Sequence, residues 1–225
     1  MKLPVRSIFE SINGEVGYHP QGSWTTFIRL QGCNLSCKYC DTKHTQRRVD
    51  PRANEMSPKE IAGRIRTRFV TITGGEPLIH KTELEYLATE LYQVGISTQI
   101  ETNGSIVIPE WTTPPVGWVI DQKGPASGME QHNLSAKELV RSIKKSVQFS
   151  IIKFVVDTDI DLMWAMERAG NLMAAGYHGM FAFSPVDADP ARMTWILDTL
   201  KMCADQNLMN RAVFSLQIHK TCDLP

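Results

Sequence analysis

The sequence lacks several features that would assign a protein to a broad class at once. Its 225 residues include 24 Lys and Arg and 24 Asp and Glu, so no excess charge indicates nucleic acid or an anionic membrane as a partner. No apolar stretch approaches the ~20 residues of a membrane-spanning helix, and the start has no apolar core of signal-peptide length. Repeats, low-complexity runs and linkers are absent too. We therefore expect a cytoplasmic protein that acts on a small molecule and binds neither nucleic acid nor membrane.

Cysteine is scarce as well, and its distribution is uneven. Three of the five cysteines lie within eight residues, which suits a reducing compartment better than a disulfide framework. Cys33, Cys37 and Cys40 are close enough in sequence to face one inorganic centre from a single loop. A 4Fe–4S cluster normally takes four thiolates, so three would leave one iron with an open coordination site. The alternative is a zinc module in which His44 completes a Cys3His set. The cysteines alone do not decide between the two centres.

Helical and strand patterns alternate from about residue 57 onward, and one further strand precedes them. A cap followed by proline at Ser57-Pro58 and a capping box at Ser135 and Glu138 mark two helix starts. Such alternation predicts a parallel sheet with right-handed crossovers. The fold class that we expect is α/β, with residues 1–225 forming a single domain built as a partial or modified (β/α) TIM-type barrel. The predicted strands are 24–31, 69–73, 97–101, 117–121, 148–156, 180–183 and 212–218, and the predicted helices are 57–68, 82–94, one starting after 135, 159–175 and 190–207.

A glycine-rich segment, Thr73-Gly-Gly-Glu-Pro77, follows the second predicted strand directly. Two glycines let the backbone approach a ligand that a Cβ would exclude, and Glu76 could accept hydrogen bonds or neutralise an ammonium group. The alternative is a plain strand-to-helix turn. Because α/β barrels carry their active sites at the C-terminal ends of the strands, we expect this segment and the cysteines to share one site.

Together these motifs resemble the radical S-adenosylmethionine (SAM) superfamily. Cys33, Cys37 and Cys40 match its cluster motif, and Tyr39 is its customary aromatic residue before the third cysteine. The resemblance implies that SAM binds the open iron of a 4Fe–4S cluster and that its reductive cleavage yields a 5′-deoxyadenosyl radical. It also implies an electron donor, flavodoxin-like or similar. Residues 74–77 match the segment that holds the methionine end of SAM.

A finer resemblance, to the 7-carboxy-7-deazaguanine synthase family, spans nearly the whole chain. It implies a barrel of the radical SAM kind and a carbon–nitrogen lyase. The implied reaction converts 6-carboxy-5,6,7,8-tetrahydropterin to 7-carboxy-7-deazaguanine with loss of ammonia, in 7-deazapurine (queuosine-type) biosynthesis. Mg²⁺ would be a further cofactor and a homodimer the assembly. The segments that match are 9–15, 27–33, 40–45, 100–104, the strand lysine Lys153 and 219–225.

The resemblance also implies the residues of the site, none of them a catalytic side chain, because the radical is generated on the cofactor. Arg29 would clamp the substrate carboxylate as a bidentate partner, and Thr42 would supply one oxygen to Mg²⁺. The other substrate contacts would be Ile12, Asn13, Gly14, Glu15, Thr73, His219 and Pro225. The SAM contacts would be Tyr39, Asp41, Gly74, Gly75, Glu76, Glu101, Asp121, Gln122, Lys123, Ser184, Pro185, Val186 and Asp187.

Several of these roles have structural alternatives. Arg29 could form a salt bridge at the barrel mouth, Asn13-Gly14 could be a tight turn, and residues 219–225 could be a frayed tail. The chain also departs from the family's usual residues at Asp121-Gln122 and at Ser184. Two other functions compete with the lyase. One is a radical SAM activase that makes a glycyl radical on a partner protein, and the other is the zinc-binding interaction module.

Overall fold

One nine-stranded sheet organises residues 1–111, 114–146, 149–187 and 189–224, which this computed structural model describes. The order across the sheet is β3-β1-β2-β4-β5-β6-β7-β8-β9. From β2 to β9, neighbouring strands run parallel, whereas β1 pairs antiparallel with β2 and β3. Since β3 and β9 end the order, the sheet is an open, partial barrel, as predicted. The strands are β1 Leu3–Ile12, β2 Trp24–Leu30, β3 Asn54–Met56, β4 Phe69–Gly74, β5 Ser97–Thr102, β6 Val116–Gln122, β7 Ser150–Val156, β8 Met180–Pro185 and β9 Ala212–Phe214.

Helices cover the outer face of the sheet. Between the two layers lies the main core, where aromatic side chains such as Trp118, Phe154 and Phe181 are fully buried. No helix within the described ranges has the length and apolar character needed to cross a membrane. The helices are α1 Pro58–Ala62, α2 Lys81–Gln93, α3 Ala136–Ser146, α4 Asp159–Ala174, α5 Pro190–Cys203, α6 Gln206–Met209 and α7 Ile218–Thr221.

Most predicted elements are confirmed. The strands at 69–73, 97–101, 117–121 and 180–183 and the helices at 82–94 and 159–175 agree with the structure to within two residues at each end. Both predicted helix caps form: Ser57 and Glu60 make a capping box, and Ser135 and Glu138 exchange the same bonds before α3. The predicted start of β7 at 148 lies outside the described residues, and β7 is described from Ser150.

The first predicted helix, 57–68, is wrong in its length. Helix α1 ends at Ala62, where Gly63, a poor helix former, follows. The chain must then turn to enter β4, and the Thr67 hydroxyl fixes that turn by bonding the Thr26 hydroxyl at 2.7 Å. The tertiary contact with β2 therefore overrides the helical pattern.

Two further predictions fail near the C-terminus. The predicted helix 190–207 is interrupted, because Ala204 is extended and the Asp205 side chain caps a new helix, α6, by accepting the Leu208 N–H at 2.7 Å. The predicted strand 212–218 stops at Phe214, and Ile218 begins α7. Local capping by Asp205 thus decides the first of these boundaries.

The segment that joins β1 to β2 fills the inside of the barrel, and we call residues 13–22 the plug. Val16 packs against Val119, Ile151 and Ala182 on the inner face of the sheet. The backbone N–H groups of plug residues 18 and 19 both donate to Gln99 Oε1, at 2.7 and 3.2 Å. The sequence predicted neither β1 nor the plug, because β1 mixes polar and apolar residues on both faces. The plug closes the barrel from below and leaves a cavity above it.

Candidate functional site

A cavity of about 260 Å³ opens at the C-terminal ends of the parallel strands. Strands β2, β4, β5, β6 and β7 contribute to its wall, together with the plug, the loop after β2 and the C-terminal segment. Most of the predicted site residues line it, including all three clustered cysteines. Those residues are Asn13, Gly14, Glu15, Arg29, Cys33, Cys37, Tyr39, Cys40, Asp41, Thr42, Thr73, Gly74, Gly75, Glu101, Asp121, Lys123, Val186 and His219.

The cysteines lie on a loop whose backbone is tied down at several points. The N–H of Gly32 donates to Thr45 O at 2.7 Å, and the N–H of Cys33 donates to Gln46 O at 3.2 Å. The Cys33 sulfur accepts the Leu35 N–H at 3.4 Å and lies 3.8 Å from the Asn103 amide nitrogen. Burial raises the pKa of the Cys33 thiol, and these two donors counteract that effect. Donors of this kind stabilise thiolate ligands and tune a bound cluster.

The arrangement of the thiols separates the two candidate centres. A zinc site needs four ligand atoms, each about 2.0–2.3 Å from the same ion. Across the described residues, no three His, Cys, Asp or Glu side chains are grouped closely enough to hold a single ion. His44 is exposed and does not line the cavity. A 4Fe–4S cluster binds each thiolate at a different iron, so its ligands stand farther apart. The described residues therefore give no support to the Cys3His zinc site, whereas the ligands of a 4Fe–4S cluster need not converge on a single ion.

The glycines of the Thr73–Pro77 segment face protein backbone as well as the cavity. Gly74 has φ of 130°, and a Cβ at Gly74 or Gly75 would overlap the backbone of Leu30 or Gly32. The Gly75 N–H donates to Leu30 O at 3.0 Å. Because these two residues have no Cβ, the end of β4 can pack directly against the backbone at the start of the cysteine loop. The predicted approach of a ligand to the same two glycines stays a prediction.

Glu76 lies behind the cavity wall and not in it. Its carboxylate is completely buried and accepts the Leu78 N–H, the Thr102 hydroxyl and the Asn103 N–H at 2.7–2.9 Å. Burial raises the pKa of this carboxyl, and the three donors counteract that rise. Because Asn103 in turn reaches the Cys33 sulfur, Glu76 links the end of β5 to the cysteine loop.

Charged side chains form a layer across the floor of the cavity. Lys153 Nζ lies 2.5 Å from Glu15 Oε2 and 3.4 Å from Asp121 Oδ1, and Lys123 Nζ lies 2.7 Å from Asp121 Oδ2. Burial would lower the pKa of Lys153, but the carboxylates of Asp121, Glu15 and Glu101 outweigh it and hold the pKa well above its usual value. The two ammonium groups thus keep Glu15 and Asp121 ionised and oriented.

Glu101 differs from the other two carboxylates. It accepts the Thr73 hydroxyl at 2.9 Å, and no lysine lies within salt-bridge distance in the described part of the chain. Burial raises the pKa of Glu101 to about 7, although Lys153 pulls it down. A carboxyl that is partly protonated at neutral pH can donate a hydrogen bond as well as accept one.

Arg29 lies in the wall between the cysteine loop and the plug. Its guanidinium carbon lies 5.5 Å from the centre of the Phe9 ring, which stacks on Phe27 at 5.3 Å. Among the described residues, no carboxylate lies within 4.0 Å of its nitrogens, so the alternative of a structural salt bridge fails. Arg29 therefore offers its donors to the cavity from an aromatic platform.

The C-terminal segment packs onto the plug as far as the structure describes it. The Ile218 N–H donates to Gly14 O at 3.0 Å, and Gln217 Nε2 donates to Glu15 Oε1 at 2.6 Å. Gly14 has no room for a Cβ, because the His219 ring occupies that space. The alternative of a frayed tail thus fails for residues 217–219, whereas residues 220–224 are exposed and Pro225 lies outside the described residues.

Some predicted residues lie outside the lining. Ile12 ends β1, and Gln122 is buried with its Oε1 accepting from Arg168 at 2.7 and 2.9 Å. Asp187 is exposed and lies 3.3 Å from Arg192. The others are Glu76, Ser184 and Pro185, all buried.

Sequence reasoning missed part of the lining. Lys153 was matched to the family's strand lysine but was given no role in the site, although a lysine inside the otherwise apolar strand 148–156 was a usable signal. Strand alternation from Arg29 could have indicated Phe27. Nothing local marks Gln217, since its role depends on where the tail docks. The missed lining residues are Phe9, Phe27, Leu35, Thr45, Gln46, Thr102, Asn103, Lys153, Val155, Gln217 and Lys220.

Comparisons with known proteins agree with this geometry. The family model of the radical SAM superfamily matches residues 27–112. The 7-carboxy-7-deazaguanine synthase of Clostridium acetobutylicum is 33% identical over 225 residues, which cover 98% of this chain and 96% of that protein. The synthase of Methanospirillum hungatei is 39% identical over 166 residues, 72% of this chain and 65%, or just under two thirds, of that protein. The crystal structure of QueE from Escherichia coli superposes with a TM-score of 0.71 at 26% identity, covering 96% of this chain and 94% of that one.

Proposed function

We propose a reaction for this chain from one premise: the chain belongs to the 7-carboxy-7-deazaguanine synthase family, whose members carry a radical SAM domain. The reaction is the conversion of 6-carboxy-5,6,7,8-tetrahydropterin to 7-carboxy-7-deazaguanine with loss of ammonia. The observation that carries it is Arg29, which has no carboxylate within 4.0 Å among the described residues and shares one cavity with Cys33, Cys37 and Cys40. A flat heterocycle with one carboxylate would pair with Arg29 in one half of that cavity. A cluster bound by the three cysteines would occupy the other half.

The cofactor half of the cavity fits a 4Fe–4S cluster and SAM. Bound there, they would supply a radical that removes one hydrogen atom from the substrate. We propose that the cavity-lining members of the predicted SAM set contact SAM directly. Those outside the lining would act through neighbours, as Glu76 does through Asn103.

The substrate half of the cavity positions a polar ring. Arg29 would clamp the carboxylate with two parallel hydrogen bonds. Glu15, fixed by Lys153 and Gln217, would accept hydrogen bonds from ring N–H groups, and Glu101 would donate or accept according to its proton. Holding the ring in one orientation lets a single hydrogen atom face the radical. The plug and the tail at His219 would exclude water and so protect the radical from side reactions.

Mg²⁺ belongs to the proposal through one side chain. The Thr42 hydroxyl lines the cavity, 3.7 Å from the Cys40 sulfur and 3.4 Å from Gly74 O. Neither contact is short, so the oxygen can serve a cation. Mg²⁺ keeps waters and shares substrate oxygens, which makes a single protein ligand chemically adequate. Thr42 and the substrate carboxylate would hold it together.

The remaining proposals concern organisation. One sheet runs from the third residue to the 214th and the tail docks on the plug, which supports a single domain over 1–225. A homodimer and a flavodoxin-like electron donor remain predictions from the family resemblance; light scattering on purified protein would measure the first.

A glycyl-radical activase must admit a protein chain, which a cavity bordered by the plug and tail does not favour.

An anaerobic assay tests the proposed reaction. Protein reconstituted with iron and sulfide is mixed with SAM, dithionite and 6-carboxytetrahydropterin, and mass spectrometry follows product and ammonia. We expect 7-carboxy-7-deazaguanine to form. A pterin without the carboxylate is the matched control and should react far more slowly. Cleavage of SAM with the carboxylated pterin left intact would contradict the proposal.

A further inference from the structure

One carboxylate in the floor of the cavity is shared between two lysines. Asp121 Oδ2 accepts a hydrogen bond from Lys123 Nζ at 2.7 Å, and Asp121 Oδ1 lies 3.4 Å from Lys153 Nζ. The described residues give Lys153 one other carboxylate within 4.0 Å, that of Glu15, whose Oε2 lies 2.5 Å from the same Nζ. Four charged groups of alternating sign therefore follow one another in space. We call Lys123, Asp121, Lys153 and Glu15 the ionic row.

Two neighbouring strands fix the middle of the ionic row. Asp121 and Lys153 are directly paired in the register of β6 and β7, so both side chains leave the same face of the sheet. The backbone of Lys123 is fixed by Asn133, whose Oδ1 accepts the Lys123 N–H at 2.9 Å and whose Nδ2 donates to Lys123 O at 2.8 Å. The fold thus holds the two lysines at different oxygens of one carboxylate.

The members of the ionic row are largely withdrawn from water, with side chains between 9% and 20% exposed. Burial alone would raise the pKa of Asp121, but the ammonium groups of Lys123 and Lys153 outweigh it and hold that pKa below its usual value. Charges attract each other more strongly in such surroundings than in water, and removing one of them leaves its partner buried and unpaired. A change at Asp121 must therefore affect both lysines.

The two ends of the ionic row belong to different halves of the cavity. Lys123 lines the cavity as one of the predicted SAM contacts, and Glu15 lines it as one of the predicted substrate contacts. The second oxygen of Glu15 accepts from Gln217 Nε2 at 2.6 Å. Each oxygen of Glu15 thus has one donor from the protein and retains a further lone pair for an N–H group of a ring. Side chains alone connect the cofactor half to the substrate half.

We propose that Asp121 is a positioning residue for the substrate as well as a contact of SAM, an inference that rests on the proposed function. Asp121 acts on the pterin through Lys153, which holds Glu15 against the ring. A carboxylate is needed because it offers one oxygen to each lysine. An amide of the same shape has a single acceptor oxygen, and its NH2 group would face the other ammonium.

The test measures binding to the reconstituted holoenzyme under anaerobic conditions, without a reductant, so that no turnover occurs. Calorimetry gives the dissociation constant of SAM and that of 6-carboxytetrahydropterin at saturating SAM. Asp121→Asn should raise both constants by about 5-fold or more, because hydrogen bonds between buried charged groups are among the strongest in a protein. Glu15→Gln should raise the constant for the pterin and leave that for SAM nearly unchanged.

The double variant Glu15→Gln/Asp121→Asn separates positioning from general damage to the fold. If Asp121 acts on the pterin through Glu15, the second substitution adds little to the loss of pterin affinity that the first one causes, because groups in one network are not additive. Losses that multiply in the double variant would overturn the proposal. A pterin constant that stays unchanged in Asp121→Asn would also overturn it, since Asp121 would then serve SAM alone.

Asp198→Asn is the matched control, because it removes one carboxylate from an exposed position of α5 outside the cavity. Both of its dissociation constants should equal those of the wild type. Iron and sulfide analysis gives the amount of cluster-bound protein to which every constant refers. If the wild type binds no pterin, the proposed function fails and the positioning role fails with it. Equal pterin binding by the wild type and Asp121→Asn rejects the positioning role only.

Discussion

The cavity has two walls that are built in different ways. The cofactor wall, from Leu30 to Cys40 with Gly74 and Gly75, is held by backbone contacts between adjacent strand ends. The substrate wall is held by side chains that are far apart in sequence: 138 residues separate Glu15 from Lys153, and 202 separate Glu15 from Gln217. Backbone contacts between strand ends allow a single geometry. That suits a cluster, which does not change from one turnover to the next. Side-chain contacts leave room to shape a wall around one substrate.

The largest effect should come from removing a thiol of the cofactor wall. Cys37→Ala should abolish cluster assembly and SAM cleavage, because a cluster with two protein ligands cannot be retained in one orientation. Iron and sulfide analysis with the visible spectrum measures assembly, and chromatography measures SAM cleavage. Cys203→Ala is the control, since Cys203 is exposed and outside the cavity, and it should behave as the wild type. Retained cleavage in Cys37→Ala would remove this residue from the ligand set.

The second test separates backbone packing from side-chain packing. Gly75→Ala would push a Cβ into the Gly32 carbonyl, and the adjacent backbone cannot yield easily, so the free energy of unfolding should fall by about 1–3 kcal/mol or more. Gly170→Ala in α4 is the control, because that position is open, and there the alanine should stabilise by about 0.5–1 kcal/mol. Denaturant titrations measure both. A neutral Gly75→Ala would mean that the two strand ends are not tightly packed.

This difference between the walls also explains what could be predicted from the sequence. Cys33, Cys37, Cys40 and the glycine segment are contiguous motifs at strand ends, and the alternating pattern places strand ends together. The plug and Gln217 depend on where distant segments dock, which no local pattern encodes. Helix α1 shows the same limit on a small scale, since the Thr26–Thr67 contact shortens a helix that local propensity extends.

The third test acts on the substrate wall. Arg29→Ala should raise the Michaelis constant for the pterin about 10- to 100-fold, because a charged hydrogen-bond pair is worth about 1.5–3 kcal/mol. The constant for SAM should change little, since only the substrate brings the carboxylate that Arg29 is meant to bind. Steady-state kinetics under anaerobic conditions measures both constants. Arg29→Lys keeps the charge but loses the forked pair of donors. Its Michaelis constant for the pterin should therefore lie between those of the wild type and Arg29→Ala. Equal losses for SAM and pterin would mean that Arg29 supports the fold of the whole cavity.

The last test concerns the proton on Glu101. Burial raises its pKa from 4.5 to about 7, so between these pH values the folded protein keeps a proton that the unfolded chain has lost. Stability should therefore decrease as the pH rises through this window. Glu101→Gln cannot ionise, and its free energy of unfolding should decrease less, while Lys153, Glu15 and Asp121 stay charged in both proteins.

Denaturant titrations at several pH values compare the two slopes. Glu138→Gln is the control, because the Ser135 hydroxyl lowers the pKa of the exposed Glu138 and its titration lies below the upper part of this window. Identical slopes for wild type and Glu101→Gln would show that Glu101 ionises normally. The substrate wall would then carry three permanent carboxylates against two lysines, and Glu101 could only accept hydrogen bonds from the substrate. If only Glu101→Gln shows a smaller decrease of the free energy of unfolding with pH, the substrate wall contains one carboxyl group that changes its protonation in this range. That would leave the chemistry of the cofactor wall fixed while the substrate wall adjusts to the ring it holds.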